Sequence, residues 1–206
     1  LKMDGADGQL TRLSGNLSLN IYDLVTVTGD FGIESKQGQV TLADNPDTTS
    51  VDESATPVSV DMLLIGGSNL NAFVGASGVG VSLQGMDLGI ALLTEQVSSG
   101  TAREWTSVQA TVDRIGLDGV DGLTIDVNSL GLQVNRAATD GTLVDYSLTA
   151  STTDAADARN TELAIATGPD STLSLTMDGA DGQLTRLTGN LEINVFDFVT
   201  VTRILY

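Results

Sequence analysis

Apolar and polar residues alternate along much of the chain. In 17–33 the odd positions run Leu17, Leu19, Ile21, Asp23, Val25, Val27, Gly29, Phe31, Ile33. The even positions around them are mostly polar: Asn16, Ser18, Asn20, Thr26, Thr28, Asp30 and Glu34. A period of two predicts a half-buried β-strand with its odd face inward. Tyr22 and Leu24 break the pattern as apolar residues on the even face, to be covered by another layer of the fold or by a neighbouring chain. Val108, Ala110 and Val112 alternate too, as do Val144, Tyr146 and Leu148, and then Leu173, Leu175 and Met177. Two stretches change phase: Val79, Val81, Leu83 give way to Met86, Leu88, Ile90, Leu92 at Gln84-Gly85. Leu123, Ile125, Val127 give way to Leu130, Leu132, Val134 at Asn128-Ser129. Such flips predict corners or tight turns between short strands. Loops are expected at 43–58, 94–104, 135–142, 151–160 and 166–172, each rich in Asp, Asn, Thr, Gly or Ser. No segment holds a helical period over three turns, and the best helix candidate, 154–164, reads as a single turn or a loop.

A long repeat overlays this pattern. Residues 3–28 and 177–202 are identical at 20 of 26 positions, with an offset of 174 residues. The six differences are Ser14/Thr188, Ser18/Glu192, Leu19/Ile193, Ile21/Val195, Tyr22/Phe196 and Leu24/Phe198. The only one that gains a charge falls on the even face, while Leu19 and Ile21 stay aliphatic. The chain therefore reads as one complete unit, 1–174, followed by the start of the next copy, 175–206, cut from a longer tandem array. Weaker echoes at 75–93 and 116–134 follow the same outline.

Many short strands and almost no helix predict an all-β fold. The expected architecture is an elongated β-solenoid-like rod of short strands. Tandem immunoglobulin-like β-sandwiches, each near half a unit, are the alternative.

Composition narrows the chemistry. The 206 residues carry 27 acidic and 9 basic side chains, a formal net charge of −18, with no Cys and no His. Absence of Cys and His removes disulfides, thiolate catalysis, Ser-His-Asp triads and most transition-metal sites. The acidic field disfavours nucleic acid. No apolar run is long enough for a membrane helix, so insertion by a helix is not expected. The acids are 21 Asp against 6 Glu, beside 23 Gly and 25 Thr, a mixture suited to Thr- and Val-rich strands joined by Asp/Gly turns.

The Asp-Gly-x-Asp-Gly motif occurs three times, at Asp4 and Asp7, Asp118 and Asp121, and Asp178 and Asp181. Paired carboxylates separated by Gly can turn onto one calcium ion. The same residues also make ordinary turns, because Asp bonds its own backbone and Gly takes positive φ. Arg12 and Arg186 follow the motif and Arg114 precedes one copy. That arrangement raises a calcium-dependent polysaccharide-active enzyme as a third possibility, although a carboxylate partner is the expected role of Arg12. No catalytic residue is assigned and an enzyme is not expected. Trp105 is expected to plug the core or a strand end beside 94–104.

The segments 71–95 and 115–137, together with the recurring MDGADGQLTRLTGNLEINVFDFVTV segment, resemble long repeats of giant secreted bacterial surface proteins, including the LEPR-XLL-type large repeat proteins. The LEPR-XLL tag itself is absent. The resemblance implies an extracellular, cell-surface array acting as a stiff stalk in adhesion or cell–cell association. Its partners would be neighbouring repeats of the same chain and a cell-surface target. A self-assembling extracellular filament or sheath of identical chains is the alternative.

Overall fold

The computed structural model describes residues 10–43, 57–147, 163–196 and 199–205. The chain is all-β. Six long strands follow one another: β1 (Leu10–Ile21), β2 (Val25–Val40), β3 (Val58–Ala76), β4 (Val79–Glu95), β5 (Glu104–Asp118) and β6 (Leu123–Arg136). A short hairpin comes next, β7 (Ala164–Ala166) and β8 (Thr172–Ser174), then β9 (Leu184–Val195) and β10 (Val199–Leu205). The eight long strands form one open antiparallel sheet in the order β1-β2-β3-β4-β5-β6-β9-β10. Its two edges are β1 and β10.

The alternation over 17–33 holds, but the segment is a hairpin. Tyr22 and Asp23 sit in the left-handed region at φ 51° and 54°, and the Leu24 N–H donates to the Ile21 carbonyl at 2.9 Å. Ile21 faces Val25, so odd residues stay on one face of the sheet through the turn. Tyr22 and Leu24 belong to this turn rather than to a strand face.

The two phase flips are bulges inside continuous strands, not corners. Gly85 (φ 60°) lies within β4 and Ser129 (φ 53°) within β6, and Asn69 (φ 49°) marks a third break in β3. Leu70 faces Met86, Met86 faces Val112 and Val112 faces Leu130, so the breaks line up in a row across the sheet. Each bulge inserts a residue, which flips the numbering parity but keeps the apolar side chains on one face. The expected strands are therefore joined end to end into longer ones.

One half of the sheet carries the core. Val60, Met62 and Leu64 of β3, Ala91 and Leu93 of β4 and Trp105 of β5 pack against Val144, Tyr146, Leu163, Ile165, Leu175 and Met177. Trp105 is buried as expected, and its indole N–H donates to the Thr142 carbonyl at 3.0 Å. The 94–104 and 166–172 loops fall where the pattern placed them. Among the described residues the Val144–Tyr146 segment makes a single isolated bridge, Val144 to Leu42. The loop at 151–160, the bulk of 154–164, Leu148 and Phe198 lie outside the described residues.

Polar groups beneath the core form a closed chain. The Tyr146 hydroxyl donates to Ser107 Oγ at 2.8 Å, Ser107 donates to Asn135 Oδ1 at 3.0 Å, and Asn135 Nδ2 donates to the Val144 carbonyl at 2.9 Å. Burial pushes the Tyr146 hydroxyl pKa well up, against the smaller opposing effect of Ser107. The cover approaches the sheet backbone directly. A Cβ at Gly66 would lie 2.2 Å from the Ala166 carbonyl oxygen, so β7 can rest on β3 only over glycine. Gly66→Ala is expected to lower stability by about 1–3 kcal/mol, measured as a lower urea midpoint with the m-value unchanged.

Candidate functional site

The Asp pairs sit in two different local structures. Asp118 ends β5 and Asp121 lies in the turn to β6, with Gly119 and Gly122 at φ 78° and 74°. Asp118 lies 3.7 Å from Arg114, whose closer partner is Asp126 at 2.5 Å. Asp178 instead caps a 3₁₀ turn, Gly179–Asp181, by accepting the Ala180 N–H at 2.8 Å. Asp181 pairs with Arg186 at 3.3 Å. Asp4 and Asp7 lie outside the described residues. Among the described residues no group of three or more candidate ligands gathers for a metal ion. The placed Asp residues shape turns, a strand end and a cap, and Asp118, Asp178 and Asp181 are already engaged.

The conspicuous ionic cluster is elsewhere. The Glu34 carboxylate on β2 is nearly fully buried beside the core, 2.5 Å from Arg12 Nη2 and 2.8 Å from Lys36 Nζ. Burial works to raise its pKa, but the bonds from Lys36 and Arg12 outweigh it and hold the carboxyl below its ordinary 4.5. Arg12 thus has the expected carboxylate partner. Glu34 was legible only as a polar residue on the even face, because its partner Arg12 is 22 residues away in sequence.

Two surfaces stand out among the described residues. The first is the odd face of β1 and its continuation across the sheet, where the inward expectation is overturned. Leu13, Ile33, Ile65, Ile90, Val108 and Val134 form one cross-strand row. Leu19, Val27, Ala72, Leu83, Ile115, Val127 and Leu191 form another. This face points away from the β7–β8 cover, and Leu13, Leu19 and Val74 expose 60%, 42% and 55% of their surface. The covered face is the one bearing Glu34, Leu64 and Ala91. Tyr22 and Phe196, expected under another layer or against a partner, project from hairpin tips at 91% and 61% exposure.

The second surface is the pair of free edges. β9 and β10 are the same hairpin as β1 and β2, 174 residues on: Leu10 becomes Leu184 and Ile21 becomes Val195. Among the described residues nothing pairs with the outer edge of β1 in the first copy, whereas the second copy pairs β9 with β6.

Comparison with known family models, curated sequences and solved structures finds no match, so function rests on the residues and their geometry.

Two measurements check the assignments of charge. Glu34 has a lowered folded pKa, so its contribution is complete above its unfolded value, near pH 4.5, and fades as pH falls through the folded value. Glu34→Gln is expected to lower stability at pH 7 by about 2 kcal/mol and to flatten the acid limb of a thermal-denaturation series. If the Asp pairs hold calcium, the melting temperature at pH 7 is expected to be higher in calcium than in excess chelator. A drop of more than about ten degrees on chelation would make the Asp pairs ligands, by linkage of binding to folding.

Proposed function

We propose that this chain is a structural repeat of a giant extracellular bacterial protein, a stiff stalk in adhesion or cell–cell association. One observation carries the reading: a 26-residue segment recurs at an offset of 174 residues, and the described parts of the two copies, from Leu10 and from Leu184 onward, pair as the same hairpin within a single sheet. A sheet that takes in the start of the next copy is suited to extending from copy to copy. The extracellular placement draws on the Asp-rich, Cys-free composition and on the resemblance to secreted surface repeats.

A second reading has its own support. The exposed apolar face spreads over strands β1 to β9, more than a solitary soluble unit needs. It favours lateral contact between chains, as in a filament or sheath.

Sedimentation over a wide concentration range separates the two. A spacer gives one elongated monomer at all concentrations. A filament subunit grows with concentration, and Leu19→Glu together with Val74→Glu, both on the apolar face, then restores the monomer. A compact globular monomer would overturn both readings. For the adhesive role, tandem units displayed on a carrier cell are expected to increase its aggregation.

A further inference from the structure

We infer that the outer edge of β1 is a docking site for strand β6 of a preceding copy of the unit, so that tandem copies share one uninterrupted sheet. This rests on the reading of the chain as a repeat and specifies how the repeats join.

The template is within the chain. β6 pairs antiparallel with β9: Leu123 faces Val195, Thr124 faces Asn194, Ile125 faces Ile193, Val127 faces Leu191 and Leu132 faces Leu187. Subtracting the 174-residue offset turns these partners into Ile21, Asn20, Leu19, Leu17 and Leu13 of β1. The side chains that meet a preceding β6 are then the same or nearly so except that Ser18 replaces Glu192 opposite Asp126, with aliphatic opposite aliphatic on one face and polar opposite polar on the other. The backbone groups are also available, since among the described residues β1 is an edge strand paired with β2 alone.

Gly15 fits the same arrangement. A Cβ there would meet only the Phe31 ring, at an ordinary 3.5 Å, so the contacts of this chain do not demand glycine. A Cβ at its counterpart Gly189 would lie 3.2 Å from Leu130 Cδ1 and 3.5 Å from Leu130 Cα, across the β6–β9 junction. Gly189 thus packs closely against the Leu130 side chain, and Gly15 would meet the same close packing beside Leu130 of a preceding copy.

The geometry defines the shape of the array. Each unit contributes β1 to β6, with β7 and β8 lying on the sheet as a cover. At about 4.8 Å between strands, six strands advance the array by about 29 Å per unit, perpendicular to the strands.

The test uses a two-unit chain, residues 1–174 followed directly by residues 1–206. The protein has no cysteine, so paired thiols report cleanly. Thr124→Cys in the first unit with Asn20→Cys in the second is expected to form a disulfide on mild oxidation. The yield should match Thr124→Cys with Asn194→Cys in the present chain. Thr124→Cys with Leu19→Cys, one residue out of register and on the opposite face, is expected to stay reduced. Failure of the Asn20 pair while the Asn194 pair closes overturns the proposal, as does equal closure of the Leu19 pair. Failure of the Asn194 pair removes the template and overturns it too. X-ray scattering of the same two-unit chain separates this proposal from the stalk reading. A long, stiff particle with the Asn20 pair open keeps the stalk and rejects the shared sheet. A closed pair in a particle that curls into a ball keeps the shared sheet and rejects the stalk.

Discussion

The ladder of backbone hydrogen bonds between neighbouring strands is the interaction on which this protein depends. In a two-layer fold the ladder sets register while burial between layers supplies most of the stability. Here the buried core occupies one end of the sheet. Towards the hairpin tips the described residues form a single layer, with an apolar surface on one side and Thr, Asn, Ser, Asp and Arg on the other. Cross-strand pairs on both faces, each contributing about 0.2–1 kcal/mol, must support the ladder there. Long strands make this workable: β3 runs for 19 residues and β4 for 17, so each is anchored in the core at one end and extends as far again beyond it.

The row of bulges is the device that joins the two regimes. Below it, the face bearing Leu64 and Ala91 packs under the cover. Above it, the same face is polar, with Arg114 held between Asp126 and Asp118. The reverse face stays aliphatic on both sides of the row, because every strand that gains a residue does so near the same level. Without the matching insertions in β3, β4, β5 and β6, their side chains would exchange faces halfway up, and the cross-strand rows that include Leu83 and Ile90 would be broken.

This explains how much of the molecule was legible in its sequence. Alternation marked β1, β2, β4, β5 and β6, and the repeat added β9 and β10, but β3, the longest strand, was not marked; the loops at 94–104 and 166–172 were readable from composition. The first hairpin was hidden because its turn uses Tyr22 and Asp23 in a conformation that usually calls for glycine or asparagine, and because its length preserved the odd-even phase. Its trace was the pair of misplaced apolar residues, Tyr22 and Leu24. The bulges were visible as phase changes, yet a phase change alone does not distinguish a corner from an inserted residue. Only pairing with a neighbour does. The direction of burial was unreadable for a related reason. Alternation separates two faces without saying which is covered, and the cover comes from distant segments around 138–146 and 163–179. Among the candidate sites, the repeat and the carboxylate partner of Arg12 were readable in advance. The free edge became visible only when β9 was seen beside β6.

The strand order has a mechanical consequence. Successive long strands are spatial neighbours, and the described chain begins and ends on the two edges. Leu10, opposite Lys36, and Leu205, opposite Gly189, both lie towards the end of the sheet away from the hairpin tips. Tension applied through these ends loads the ladder in a peeling mode, where hydrogen bonds break one after another, rather than in shear, where many must fail together. Releasing the 12 residues of β1 alone adds about 40 Å of slack. Under pulling force the molecule would behave as an extensible tether that yields strand by strand, even if the intact ribbon resists bending.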